Sequence, residues 1–247
     1  MDMTALKSFV PPRIRAAKGA LESWYSGEPE LRILPNICVR NELAIDIGAN
    51  RGVYAWHFLR LARNVIAFEP HPGMAGFLKL AFGKRIRIEE VALSDGEGTA
   101  TLRIPIDLMQ IGCATIEESN PLAGGTTEVR VRRRRLDDYV LDRTAVIKVD
   151  VEGHELAVLK GAKALLTRDL PTLIVEAEDR HRAGALDSVS GYLAELGYQG
   201  FFLQDGHVRG LDEISDDANR GGQAATRGIY NFIFAARPDV IDRLHLA

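Results

Sequence analysis

The stretch LAIDIGANRG, residues 43–52, joins a run that is apolar on nearly every side to a turn holding two glycines. Apolar residues on both faces are what a central parallel strand needs when helices cover the sheet on both sides. In an open parallel sheet, ligands bind beyond the carboxyl ends of the strands where strand order reverses, and the first strand supplies the glycine turn. That reading puts Asp46, Gly48, Ala49, Asn50 and Gly52 at a ligand site. A dinucleotide fingerprint would read G-x-G-x-x-G and set backbone amides and a helix N-terminus against a pyrophosphate. Here Asn50 stands where the second glycine belongs, and Asp46 brings an acid. A carboxylate ~5 Å from a phosphate repels it by on the order of 3 kcal/mol at an effective dielectric near 20. Asp46 therefore disfavours a pyrophosphate and favours a cationic ligand, while Asn50 tolerates a left-handed turn better than most residues with a side chain.

On either side of this stretch, short apolar runs alternate with helical patterns. Residues 65–70, 86–93, 145–153 and 172–178 read as further strands, and 52–62, 72–82, 154–167 and 185–196 as helices. Two late strands, 197–204 and 229–236, are separated by a polar stretch, 212–228, that reads as a mobile loop. The expectation is an α/β, Rossmann-like, mostly parallel seven-stranded sheet with helices on both faces, ending in an antiparallel pair. Residues 98–138 interrupt the alternation with two strand-like runs and read as an inserted β-hairpin near the ligand. Residues 1–40 stand outside the rhythm and read as an N-terminal helical extension to a domain of residues 41–247, serving as a lid or an oligomer contact.

Bulk properties narrow the function. At 247 residues with 46% hydrophobic and 26% charged residues, the chain has ample material for a core. A formal net charge of −3 argues against a general nucleic-acid binder. Cys38 and Cys113 make no disulfide framework, and no Cys/His cluster has zinc spacing. No apolar run reaches the ~20 residues of a membrane span, and the N-terminus lacks a signal-peptide core, so a cytoplasmic protein is expected.

The second strand ends in Glu69, about 20 residues after the glycine turn, where an acid accepts hydrogen bonds from both ribose hydroxyls. An adenosine ligand with a cationic centre and no phosphate fits both acids, and S-adenosylmethionine is the common one. The segments IDIGANRGVYAWHF, VIAFEPHP, VALSDGEG, LDDYV, VIKVDVEGHELAVLKGA and PTLIVEAE, in this order, resemble the FkbM family of S-adenosylmethionine-dependent methyltransferases over residues 40–180. The pair DxGANxG and KxDVEGxExxVLKGA is far more specific than a lone glycine turn. The resemblance implies a class I methyltransferase fold and methyl transfer to oxygen, often a hydroxyl of a sugar or polyketide. Candidates for holding the donor are Asp46, Gly48, Ala49, Asn50, Gly52, Glu69, Pro70, Ala92 and Asp150.

In VIKVDVEGH, a period of two puts Lys148, Asp150 and Glu152 on one face of the fourth strand. Such a row is costly without partners, and Glu176 on the next strand is an expected partner for Lys148. Methyl transfer to an alcohol is helped by a base near the methyl group and by tight alignment of the two reactants. His154 is the first candidate base, since an ordinary histidine titrates near neutrality. Asp150 is the second, as base or orienter, with Lys148 beside it, and Glu152 and Glu176 are candidates to contact the acceptor. Carboxylates at Asp150, Glu152 and Glu176 suit magnesium, but the spacing does not demand a metal and none is predicted. The run Arg130–Arg135 is either a solvated edge strand or an arginine clamp on an anionic acceptor. Trp24, Tyr25, Tyr54 and Trp56 are either core residues or a sugar-stacking platform. The expected partner is a small-molecule or glycan acceptor, with a homo-oligomer compatible. A non-catalytic member that binds the donor, and an NAD-dependent oxidoreductase, are the competing readings.

Overall fold

The computed structural model describes residues 10–107, 111–122, 124–214 and 228–245. The polar stretch expected as a mobile loop lies largely outside them, at 215–227. In chain order, the large sheet takes β1 (Leu43–Ile47), β2 (Asn64–Phe68), β3 (Arg87–Glu89), β7 (Thr144–Val149), β8 (Thr172–Glu176), β9 (Gln199–Gln204), β10 (His207–Gly210) and β11 (Asn231–Ala235). Its spatial order is β10-β9-β11-β8-β7-β1-β2-β3. Strands β1, β2, β3, β7 and β8 run parallel to one another, whereas β11 is antiparallel to both β8 and β9.

The sheet is therefore eight-stranded and mixed, a correction to the expected seven. The extra strand is β10, folded back on β9 through Asp205 and Gly206, both with positive φ (52° and 80°). An Asp-Gly pair in this conformation is a strong hairpin signal. The expected strand 86–93 also divides. Arg87–Glu89 stays in the large sheet, while β4 (Ala92–Leu93) joins β5 (Gly98–Pro105) and β6 (Thr126–Arg134) in a separate three-stranded sheet, order β4-β6-β5. The inserted hairpin is real and gains this third strand.

Alternation along β7 shows how the sheet is covered. Ile147 and Val149 join one core cluster, with Ile45, Ile47, Leu173 and Val175. Against it pack α5 (Glu155–Lys160), α6 (Lys163–Asp169) and α7 (Ala185–Glu195), through Val158, Leu166 and Val189. Val146 joins the opposite cluster, with Ala44 and Ile174, beneath α1 (Pro12–Ser26), α2 (Leu34–Ile37), α3 (Val53–Leu61), α4 (Pro72–Phe82) and α8 (Pro238–His245). Ala16, Leu31, Leu34 and Ile37 enter this second cluster, so the described part of the N-terminal extension is packed into the same core. The helix expected over 154–167 breaks in two at Gly161. A Cβ there would lie 1.9 Å from the Ser94 carbonyl oxygen, and Asp137 caps the second half by accepting from Ala164 N (2.8 Å) and Leu165 N (3.0 Å).

Strand order reverses between β1 and β7. From β1 the chain proceeds outward to β2 and β3, then crosses to β7 and β8 on the other side. The loops leaving the carboxyl ends of β1 and β7 thus meet, joined by a hydrogen bond from Asp150 N to Ile47 O (3.0 Å).

Candidate active site

Gly48, Asn50 and Gly52 all have positive φ (76°, 47° and 76°). At Gly48 any Cβ would sit 1.7 Å from Asp150 O, so the two loops touch backbone to backbone. Gly52 opens α3, and a Cβ there would meet the Phe82 ring at 2.6 Å. Two buried acids hold this turn from opposite sides. Glu69 accepts from Asn50 N (2.6 Å) and His71 N (2.8 Å). Asp46, 2% exposed, accepts from Ala55 N (2.9 Å) and so satisfies one of the amides left open at the start of α3. Burial raises both carboxyls to about 7 despite these hydrogen bonds.

The loops frame a cleft of about 560 Å³ of empty space, counting its open mouth. Of the residues singled out in the sequence, Gly48, Asn50, Glu69, Pro70, Ala92, Asp150 and His154 line it. Asp46, Ala49, Gly52, Lys148, Glu152 and Glu176 do not. Asp46 thus serves the turn from behind. It also occupies a helix N-terminal amide that a pyrophosphate would need. Sequence reasoning missed His71 and Met74 on one side of the cleft, and Leu102, Thr115 and Ile116 of the inserted sheet and its loop on the other. Only His71, two residues past Glu69, had a signal in the sequence.

Lys148 is fully buried. Its Nζ donates to Asn231 Oδ1 (2.5 Å), lies 3.5 Å from Asp150 Oδ2, and stands 5.2 Å from the centre of the Tyr54 ring. The expected direct pairing with Glu176 is corrected. β7 ends at Val149, the chain turns at Asp150, and Asn231 on β11 takes the ammonium. Burial opposes the charge on Lys148, but Asp150, Glu28, Glu176 and Glu30 outweigh it and raise the pKa. Burial would likewise raise Asp150, yet the nearby ammonium and a hydrogen bond with Glu176 keep it below its ordinary value. Glu176 is pushed well up, first by burial and then by the Asp150 charge. The Asp150 carboxyl is thus held low at the cleft, and the Glu176 carboxyl is pushed up behind it.

His154 has both ring nitrogens engaged, Nδ1 with Glu117 Oε2 (2.9 Å) and Nε2 with Ser94 Oγ (2.9 Å). The Ser94 hydroxyl also lies 3.2 Å from Asp95 Oδ1, to which it donates, so it ties the ring to the Ser94–Asp95 turn. His154 reaches an acceptor only when that hydroxyl turns away. Beyond Asp150, Glu152 (φ 57°), Glu176 and His181 form a second cluster whose ligand atoms all lie within 4.8 Å of one another.

The arginine run lies on β6, central in its small sheet, and not on an edge. Arg130 bonds Thr99 Oγ1 (2.9 Å), Arg134 pairs with Glu97 (3.7 Å) and Arg135 with Asp138 (2.7 Å), and none of the run lines the cleft. The aromatic residues are likewise outside it. Trp24 stacks on His57, Trp56 meets the edge of Phe82, and Tyr54 is buried. Among the described residues, no helix is long and apolar enough to cross a membrane.

Comparison with known proteins agrees with this geometry. A family model described as the methyltransferase FkbM domain matches residues 46–199. The AMB antimetabolite synthetase AmbE of Pseudomonas aeruginosa is 24% identical over 225 residues, covering 74% of this chain and 11% of that protein. Methyltransferase sdnD of Sordaria araneosa is 30% identical over 156 residues, covering 49% of this chain and 60% of that protein. A solved structure, methyltransferase FkbM from Methylobacillus flagellatus KT, shares the fold with a TM-score of 0.52 at 18% identity, over 90% of this chain and 54% of that one. The chain spans less than two thirds of the length of each of these relatives. The matched family domain takes in Asp46, the glycine turn, Glu69, Asp150 and His154 and well over half of the 247 residues, and the chain therefore belongs to the FkbM methyltransferase family.

Proposed function

We propose that the protein transfers a methyl group from S-adenosylmethionine to a hydroxyl oxygen of a small-molecule or glycan acceptor, such as a sugar or a polyketide. The observation that carries this reading is the cleft at the β1/β7 reversal, with the Glu69 carboxylate on its wall and a glycine turn whose helix N-terminus is already served by Asp46. Two cleft residues also carry buried polar atoms with no partner among the described residues, Asn50 Oδ1 and His71 Nε2. Because His71 Nδ1 accepts from Gly73 N (3.0 Å), Nε2 of the neutral ring is a donor. An acceptor at Asn50, a donor at His71 and a carboxylate at Glu69 suit the edge of an adenosine.

Bound there, the donor would supply a methyl group activated on a sulfonium. The chain's own part is to hold and orient. Glu69 would accept from the ribose hydroxyls while keeping the turn in place. Phe68, Val91, Leu93 and Ile116 would exclude water from the base. Asp150, ionised beside Lys148, would accept a hydrogen bond from the acceptor hydroxyl and draw its proton as the oxygen attacks. His154 would hold the β7 loop against the inserted sheet through Ser94 and Glu117.

Calorimetric titration with S-adenosylhomocysteine tests this reading. We expect binding in the micromolar range by the wild type and at least ~10-fold weaker binding by Glu69→Gln, since hydrogen bonds to a charged group contribute about 1.5–3 kcal/mol each. NAD should not compete. Absence of S-adenosylhomocysteine binding, or tighter binding of NAD, overturns it. Labelled methyl donor offered with a panel of sugars and polyketide alcohols then separates an enzyme from a non-catalytic donor-binding member.

A further inference from the structure

Glu152, Glu176 and His181 converge just past the carboxyl ends of β7 and β8. His181 is 6% exposed, yet its Nε2 is buried without a hydrogen-bond partner among the described residues. It lies 3.0 Å from Glu152 Oε2 but off the line of a hydrogen bond, and that oxygen is itself buried and unpartnered, as is Glu176 Oε2. Glu178 Oε2 lies 3.8 Å from the same nitrogen but is already paired with Arg180. Three buried, unsatisfied ligand atoms facing one another are rare in a native interior, where such groups are almost always paired. A separation of 3.0 Å matches neighbouring ligands of a six-coordinate cation with bonds of about 2.1 Å. Glu152 is also held with a left-handed backbone, its carbonyl fixed by Thr115 Oγ1 (2.9 Å) and Asn120 Nδ2 (2.7 Å).

We propose that Glu152, Glu176 and His181 bind a divalent first-row transition-metal cation beside the donor cleft. One imidazole with two carboxylates suits Mn²⁺ better than Mg²⁺, which prefers an all-oxygen shell rich in water. His181 Nδ1 contacts Asn120 Nδ2 at 3.2 Å, so without a cation the ring proton resides on Nε2. Cation binding at Nε2 moves that proton to Nδ1, since a neutral imidazole keeps one proton; the Asn120 amide then turns to accept it, and the Glu152 carbonyl keeps the Thr115 hydroxyl as donor. Protons held by the Glu152 and Glu176 carboxyls leave to solvent. The position gives the site its use. Asp150 lies at the cleft, hydrogen-bonded with Glu176, and Thr115 belongs to both the cleft wall and the Glu152 turn. A cation there would fix the Glu152 turn and Glu176, and through them hold Thr115 and Asp150 in place at the cleft. This use rests on the methyl-transfer reading; binding of the cation does not.

The test is titration of chelator-treated full-length protein with Mn²⁺, followed by the loss of the free-ion electron paramagnetic resonance signal. S-adenosylhomocysteine binding is measured on the same samples. We expect one Mn²⁺ per chain, with affinity at least ~10-fold weaker in both His181→Ala and Glu176→Gln, in line with lost ligands of metal sites. Retained circular dichroism in the isosteric Glu176→Gln guards against a folding defect. No stoichiometric Mn²⁺ binding by the wild type, or binding unchanged in both variants, overturns the cation site. Mn²⁺ binding without S-adenosylhomocysteine binding upholds the cation site and removes the donor reading; the converse upholds the donor reading alone.

Discussion

Replacement of Gly48 by alanine tests the junction on which the whole site is built. The new Cβ would lie 1.7 Å from Asp150 O, where contacts under 3.0 Å essentially never occur, so the β1 and β7 loops must part by 1.3 Å (3.0 − 1.7). A left-handed φ of 76° adds a backbone cost of about 1–2 kcal/mol for a residue with a Cβ. The separation breaks the Asp150 N to Ile47 O hydrogen bond, and a donor orphaned there costs roughly 1–3 kcal/mol. The sum is about 2–5 kcal/mol, which for a chain of this size lowers Tm by roughly 4–20 °C at ~2–4 °C per kcal/mol. S-adenosylhomocysteine binding falls with it, because Gly48 and Asp150 both line the cleft. Thermal unfolding by circular dichroism reads the first effect and calorimetry the second. Gly19→Ala is the control. Gly19 lies within α1 with open space around it, and alanine there should stabilise by about 1 kcal/mol. A Gly48→Ala protein that melts with the wild type would refute the close contact of the two loops.

Asp46→Ala should cost roughly 0.5–2 kcal/mol of stability through the lost cap on α3. It should weaken donor binding less than Glu69→Gln does, since only Glu69 reaches the cleft; equal losses measured by calorimetry would show that Asp46 contacts the ligand. Stability should fall between about pH 4 and pH 7 and level off above that. Asp46, Glu69 and Glu155 are raised by burial to about 7 from ordinary values near 4, so the folded protein holds protons that the unfolded chain has already released. That preference is fully present below about pH 4 and is lost progressively as pH rises through about 7, at up to about 1.4 kcal/mol per pH unit per group. A melting temperature that is flat or rising over this interval would contradict the burial of these carboxyls.

The sequence by itself determined the parallel core and the position of the site. Short runs apolar on both faces, alternating with helical patterns, read as central strands, and a glycine turn after the first of them marks where the order reverses. It also determined that the turn departs from a dinucleotide fingerprint, because Asn50 replaces the second glycine and Asp46 brings an acid to the strand. The tertiary structure decided what each charged residue does. Asp46 and Glu69 are both buried acids near one turn, yet one serves a helix end and the other lines the cleft. Nothing in their spacing separates them, since the difference lies in which backbone amides the fold brings to each carboxylate. The pairing of Lys148 with Asn231, the engagement of both His154 nitrogens by Glu117 and Ser94, and the meeting of His181 with Glu152 join residues 29 to 83 positions apart on different strands and loops. Such contacts follow from strand order and register, and period-two or period-3.6 patterns carry no information about them.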